Sequence, residues 1–447
     1  MLKCGFYERE TTPPLDGTLP GYGCIRYAEG QLSRLYAKAV AIEVDGECAI
    51  IISIDAIRTS QTMHDNAVKI ITSHTGIPAE RIIVHSTHIH TGGNVGGMSS
   101  ERYAYQTAVP DPEYDNLLGR MAGSCGVLAY QNMKESTAME ATGILEGVSF
   151  IRNFVLKNGE IRTNPGLQNP DIERPFGTID NSVATLFFFD ENEKPIGAMV
   201  NFQLHHDTVS GLKYCSDYSG VLAENLKKEF GEDFVTVFVN GCCGNINHID
   251  VSLSVEEWNE ARPHYVRIGN KLTEKVLELY KELKPITIDV VKGKRDLVEL
   301  TRRDISKEEV EELRKLLYEV SYEGLHINIA KTDTPEYKRF KAEGKLNFSS
   351  RPKKELATVQ AIRLGDCMIY AIPGEVYCEY GALIKELSPK KFNMVAELAN
   401  GGPSCYVPIP EAFNTPIYEA QLPSAEFTEE AGEILARGAA KLGNELV

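Results

Sequence analysis

Residues 81–97, RIIVHSTHIHTGGNVGG, place the tightest constraint on how this chain can fold. Ile82, Ile83 and Val84 are a short apolar, β-branched run, the pattern of a buried strand. His85, His88 and His90, three of the ten histidines, follow within six residues, and glycines then close the segment. Glycine there permits a sharp turn or a close backbone approach. A core strand ending in this way has to open onto a polar site or onto solvent. If the segment stays extended, its side chains alternate, so His88 and His90 point the same way. Two imidazoles on one face suit a metal or hydrolytic site. The alternative is a polar loop with solvated histidines.

The remainder of the chain is that of a globular protein with a large core. Its 447 residues allow two or three domains, yet no linker, repeat or low-complexity tract divides it. Lys and Arg number 47 against 63 Asp and Glu, a net charge of −16. Such a surface repels phosphate backbones, so nucleic acid is not an expected partner. No apolar run is long enough to span a bilayer, and integral membrane association is not expected. The N-terminal MLKCGFYERE lacks the apolar core of a secretory signal. The ten cysteines lack disulfide-scaffold spacing and are read as reduced thiols of a cytoplasmic protein.

Taken in order, the pattern predicts an α/β fold of mixed β-sheets flanked by helices. Residues 11–23, TTPPLDGTLPGYG, form a turn-rich segment. Strands are expected at 36–44 and 49–54, joined by an Asp45-Gly46 hairpin turn, then a helix at 61–75 and the histidine strand. Asp55, at a strand's carboxyl end, either faces a site or caps the helix. A helix at 113–134 carries Leu117, Leu118, Met121 and Val127 as its apolar stripe. Arg152 lies among aromatic and branched residues, so it needs an anionic partner. That partner is a structural carboxylate or a substrate group. Strands at 183–189 and 196–204 lead into His205-His206-Asp207, and a strand at 234–239 leads into Gly241-Cys242-Cys243-Gly244. Residues 255–283 read as mostly helical. A charged stretch at about 292–356 reads as a peripheral excursion, with an amphipathic helix at 304–320 capped by Asp304. Strands then resume at 357–362, 368–372 and 395–398, and the last twenty residues form a helix.

Several strands thus end in potential ligands: His88 and His90, His205, Glu375, and the loop with Tyr406. Imidazole and carboxylate are zinc donors, and catalytic zinc sites keep a position for water. In order along the chain, TTPPLDGTLPGYG, STHIHTGG, NFQLHHDTVSG with SDYSG, GCCGNINH, PGEVY and CYVP resemble the motifs of the neutral/alkaline (non-lysosomal) ceramidase superfamily. The ordered set spans nearly the whole chain.

This resemblance implies a single catalytic domain over 1–447 and one Zn2+ held by His88, His205, Glu375 and Tyr406. It implies catalytic roles for His90 and Arg152. The family's G-D-x-S-P motif corresponds to Gly244-Asn245-Ile246-Asn247-His248, so Asn247 stands where the family has serine and joins the expected catalytic set. A serine nucleophile at this point is excluded, and metal-activated water remains. His248 either takes over a polar role or is a hydrogen-bonded loop histidine. The chain also leaves no room for the C-terminal β-sandwich of secreted ceramidases, which argues against ceramide itself. The expectation is a zinc-dependent amidase acting on a small-molecule amide. The alternatives are a metal-dependent esterase or lactonase, and a non-catalytic metal- or ligand-binding relative.

Overall fold

The computed structural model describes residues 1–22, 26–96, 111–319 and 334–447. Gly23, Gly97 and Val320, each the last residue of a segment read above, lie outside them. Three mixed sheets carry the fold. In the first, Ile82–Ser86, Glu47–Ile54, Tyr36–Val44 and Leu2–Glu10 lie side by side in that order, followed by the short Lys134–Glu135. The second runs Val235–Asn240, Pro195–Phe202, Ser182–Phe189, Thr137–Ile144 and Lys284–Pro285. The third runs Val291–Thr301, Lys354–Leu364, Cys367–Ala371 and Phe392–Ala396. The Asp45-Gly46 turn has φ of 52° and 86°, the left-handed pair that joins Tyr36–Val44 to Glu47–Ile54.

Each sheet is antiparallel except at one edge. There Glu47–Ile54 runs parallel to Ile82–Ser86, Pro195–Phe202 to Val235–Asn240, and Cys367–Ala371 to Phe392–Ala396. Parallel neighbours need a crossover, supplied by the helices Gln61–Thr75, Asp217–Phe230 and Cys378–Leu387. The fold therefore contains the same β-α-β path three times, with no matching repeat in the sequence.

Apolar runs such as Ile50-Ile51-Ile52 are explained by burial on both faces. The inner faces share one core, with Val40, Ile51 and Ile83 from the first sheet, Leu186, Met199 and Val237 from the second, and Ile362, Ile369 and Met394 from the third. Each outer face packs on its own helices: Ile52 and Val84 on Met63 and Leu118, Phe187 and Val200 on Leu222 and Leu272, Val359 and Tyr370 on Leu435 and Leu442. Each such side chain contributes about 1.5–3 kcal/mol when fully buried.

Polar side chains fasten the three parallel edges together. Ser53 Oγ donates to the Phe238 carbonyl at 2.7 Å. Asn201 Nδ2 donates to the carbonyls of Val239 at 2.8 Å and Val395 at 3.1 Å. Asn400 donates its N–H to the Val84 carbonyl at 2.7 Å and accepts from Val84 N at 3.1 Å. The carboxyl ends of the three edge pairs are thereby brought to one place, where α/β sheets bind ligands.

Three sequence expectations change. Leu117 is 48% exposed, whereas Leu118 and Val127 are buried as expected, together with Ala122 and Cys125 of the Pro112–Gln131 helix. Its glycines set the stripe: a Cβ on Gly119 would lie 2.8 Å from the Met63 carbonyl oxygen, so this face meets the Gln61–Thr75 helix backbone to backbone. The charged helix is Lys307–Glu319, and Ser306 Oγ, not Asp304, accepts from its Glu309 N–H at 3.0 Å. The 292–356 stretch begins and ends as sheet, because Val291–Thr301 pairs with Lys354–Leu364 along its whole length. Only the residues between those strands, with the helices Lys307–Glu319 and Pro335–Ser349, leave the sheet. Among the described residues no helix is long and apolar enough to cross a membrane.

Candidate metal centre

Ile82–Ser86 ends one residue before Thr87, and the chain does not stay extended. His88 has φ of 73°, in the left-handed region that non-glycine residues occupy uncommonly, histidine more readily than most. The alternation argument for His88 and His90 therefore does not apply. Their rings meet at 5.0 Å between centroids because the backbone turns at His88. His88 Nδ1 lies 2.7 Å from the Ile57 carbonyl, to which it donates, leaving the Nε2 lone pair pointing away. His88 Nε2 is 3.0 Å from His205 Nε2 and 3.3 Å from Glu375 Oε2. Donors around a tetrahedral zinc, at about 2.0–2.2 Å from the metal, stand about 3.3–3.6 Å apart. His88 Nε2 thus stands at nearly coordination-shell spacing from a second imidazole nitrogen and from a carboxylate oxygen.

Among the described residues, one group of three or more His, Cys, Asp or Glu side chains could hold a metal ion: His88, His90 and His205. Their ligand atoms all lie within 4.8 Å of one another. Among the described residues the His90 ring nitrogens have no hydrogen-bond partner. Its ring packs edge-on against Tyr22, and a Cβ on Gly21 would come within 2.1 Å of His90 Nδ1. This explains the glycine of the N-terminal motif: nothing larger fits against His90. Burial and then the neighbouring His88 depress the His90 pKa to about 3. Burial and His88 likewise hold His205 well below the usual range. Burial opposes charge on His88 too, but the Glu375 carboxylate outweighs it and raises the pKa. Burial also works against the Glu375 carboxylate, and His88 overrides it, keeping the group ionised.

Glu375 and Tyr406 sit opposite one another in a short parallel pair, Glu375–Val376 with Tyr406–Val407. The Tyr406 phenol hydrogen-bonds the Glu375 carboxylate, and burial followed by that carboxylate pushes its pKa well up. The Gly-Cys-Cys-Gly loop closes over this pair. A Cβ on Gly244 would lie 2.4 Å from the Glu375 carbonyl oxygen, and Gly244 N donates to the Val376 carbonyl at 2.9 Å. Gly244→Ala is therefore expected to cost about 1–3 kcal/mol by overpacking, read as a lower denaturation midpoint. An unchanged midpoint would show that the two backbones are not held together.

Arg152 is buried and ion-paired: its Nε lies 2.7 Å from Glu419 Oε1, and both side chains are almost fully buried. An Nη also donates to the Gly244 carbonyl. The guanidinium stands over the rings of Tyr406 and Tyr418, at 5.2 and 5.4 Å, and hydrogen-bonds Tyr406. Of the two expected partners, the structure supplies the carboxylate of the chain itself. Asn247 pairs with Phe150 in a two-residue ladder, and its amide is engaged at both ends, donating to Asn164 Oδ1 at 2.8 Å and accepting from Ile249 N at 3.0 Å. His248 Nδ1 is 3.3 Å from Asp207 Oδ1, and its ring stacks on Trp258. Asp55 does not cap the helix, which Ser60 does; it accepts from Tyr36 N at 2.9 Å and from Thr87 Oγ1 at 3.3 Å, bracing the chain next to His88. His85 is fully buried and bridges to Ala399.

The sequence reading missed three groups: Glu397, Tyr418 and Glu419. Glu397 has a signal like that of Glu375, a lone carboxylate at the end of an apolar strand. Glu419 and Tyr418 sit in a proline- and tyrosine-rich loop that offers none.

The donor set fits a divalent metal. The Ile57 carbonyl holds His88 in the tautomer whose Nε2 is free, and that nitrogen faces a second buried imidazole nitrogen and a carboxylate. A cation between them would relieve the crowding of lone pairs. No family model matches the sequence, and no curated protein matches it. Among solved structures, the chain is similar to the neutral ceramidase from Pseudomonas aeruginosa, with 17% identity and a TM-score of 0.75 over all of this chain and 74% of that one. It is also similar to a ceramidase complexed with C2, with 15% identity and a TM-score of 0.72 over all of this chain and 75% of that one. The three sheets and their helices thus form a neutral ceramidase-like fold.

Proposed function

We propose that this chain is a zinc-dependent hydrolase cleaving the carbon–nitrogen bond of a small N-acyl or related amide. His88, His205, Glu375 and Tyr406 are the proposed ligands. The observation that carries the reading is that His88 Nε2 stands 3.0 Å from His205 Nε2 and 3.3 Å from Glu375 Oε2, three groups on segments that follow strands of the three sheets. Bound zinc supplies an acidified water and polarises a carbonyl oxygen. The remaining work falls to the chain. His90, kept neutral by burial, donates a ring N–H to the oxygen where negative charge develops. Arg152, tethered by Glu419, fixes the Tyr406 phenol rather than clamping an anion. Asn247, where ceramidases have serine, holds the 244–249 loop through Asn164 and Ile249. The substrate is a small molecule, and the charge of −16 disfavours nucleic acid. Nine described cysteines are free, which supports a reducing, cytoplasmic setting. Residues 1–447 act as one catalytic domain, with the two helices between Thr301 and Lys354 at its margin.

Chelation is expected to abolish hydrolysis of acyl amides, and added Zn2+ to restore it. Matched amides and esters in one panel assign the bond. Full turnover by protein shown to be metal-free by elemental analysis would overturn the reading.

A further inference from the structure

Behind His205 lies a buried carboxyl group that the proposed chemistry does not use. Glu397 is fully buried. It follows the Phe392–Ala396 strand, and its own N–H donates to the Asn240 carbonyl at 3.1 Å. Its oxygens receive four donors. Oε2 accepts from Val376 N at 3.0 Å and Cys243 N at 3.2 Å, while Oε1 accepts from Cys243 Sγ at 2.9 Å and Asn240 Nδ2 at 3.5 Å. Val376 adjoins Glu375, so this single carboxyl ties the glutamate strand to the Gly-Cys-Cys-Gly loop.

Cys243 makes a second contact. Its Sγ is 3.8 Å from His205 Nδ1. A thiol donating to Glu397 has its sulfur lone pairs free, so it accepts the His205 Nδ1–H. That bond leaves His205 Nε2 as the lone-pair nitrogen, 3.0 Å from His88 Nε2. The Ile57 carbonyl does the same for His88 on the opposite side. Metal-bound histidines commonly donate their other ring N–H to a carboxylate or carbonyl, which fixes the tautomer and ring orientation. Here the Glu397 carboxyl group reaches one imidazole through a thiol.

We infer that Glu397, acting through Cys243, is a positioning residue that orients His205 for metal binding and aligns Glu375 with it. This rests on the proposal that the cluster binds a metal. In Glu397→Gln an amide N–H₂ faces backbone N–H and thiol donors, so at least one bond is lost. In Cys243→Ala both the link to Glu397 and the acceptor for His205 Nδ1 are lost. In Cys243→Ser a hydroxyl can serve both contacts.

The test measures zinc affinity by competition with a chromophoric chelator, together with the visible absorption of the Co2+-loaded protein. Glu397→Gln and Cys243→Ala are expected to weaken zinc binding about 10–100-fold and to alter the Co2+ spectrum. Cys243→Ser should recover most of the affinity. Affinities within about threefold of wild type for both Glu397→Gln and Cys243→Ala would overturn the inference. So would Cys243→Ser behaving like Cys243→Ala. If Glu397→Gln does not fold, the two Cys243 variants decide the question alone. Wild-type protein that binds no stoichiometric zinc or cobalt fails the parent proposal instead, so the two failures are distinguishable.

Discussion

His205→Ala is expected to lower zinc affinity by about 1,000-fold or more, well beyond the 10–100-fold typical of an outer partner, and to bring amide hydrolysis to background. The size of the effect follows from the geometry. His205 Nε2 is 3.0 Å from His88 Nε2, and the two nitrogens arrive from different sheets. Glu375 Oε2 stands 3.3 Å from the same His88 nitrogen. His90→Ala separates two arrangements of the same cluster. If His90 serves the oxyanion, its loss leaves metal affinity nearly unchanged and lowers kcat by about 100–1,000-fold. If His88, His90 and His205 form the ligand set, affinity falls as it does for His205→Ala. His248→Gln is a useful contrast, because His248 contacts Asp207 and Trp258 and lies outside the metal group. Titration against a chromophoric chelator reads all three variants. Wild-type affinity in His205→Ala would remove that residue from the site.

Arg152→Ala is expected to destabilise the protein by about 3–5 kcal/mol, because it leaves Glu419 as an uncompensated buried charge. Glu419 has no exposure and lies 2.7 Å from Arg152 Nε; Thr163 Oγ1 also donates to it, at 3.0 Å. Replacing both partners, Arg152→Met with Glu419→Leu, should be milder than Arg152→Ala alone, since removing a buried pair together avoids the orphaned charge. Urea denaturation of Arg152→Met, Glu419→Leu and the double variant closes the cycle. Additive losses would mean that the pair is not coupled. In the double variant Tyr406 loses its guanidinium neighbour while the fold is retained, which separates the arginine's effect on the site from its effect on stability.

Much of the architecture could be read from the chain. Continuous apolar runs marked the sheet strands, Asp45-Gly46 marked a hairpin, and strand ends marked His88, His205 and Glu375. The helix stripe at 113–134 held at Leu118 and Val127 and failed at Leu117, because Leu117 and Leu118 are equally apolar. The choice between them was made by Gly119 and Gly123, which let a second helix approach on their side. The Asp304 cap failed for a related reason: Ser306 offers a hydroxyl nearer the first turn.

Residue order and continuous apolar runs were enough to specify the strands, their end residues and the kinds of ligand they deliver, since these depend on neighbours a few positions apart. Tertiary structure alone decided that His88, His205 and Glu375 meet. It also decided that His88 turns left-handed, that Arg152 is answered by Glu419, and that Glu397 stands behind His205. These contacts join segments more than a hundred residues apart, and their distances are set by how three sheets pack on one core. Local sequence patterns report which face of a strand is buried. They carry no information on which other strand end lies three ångströms away.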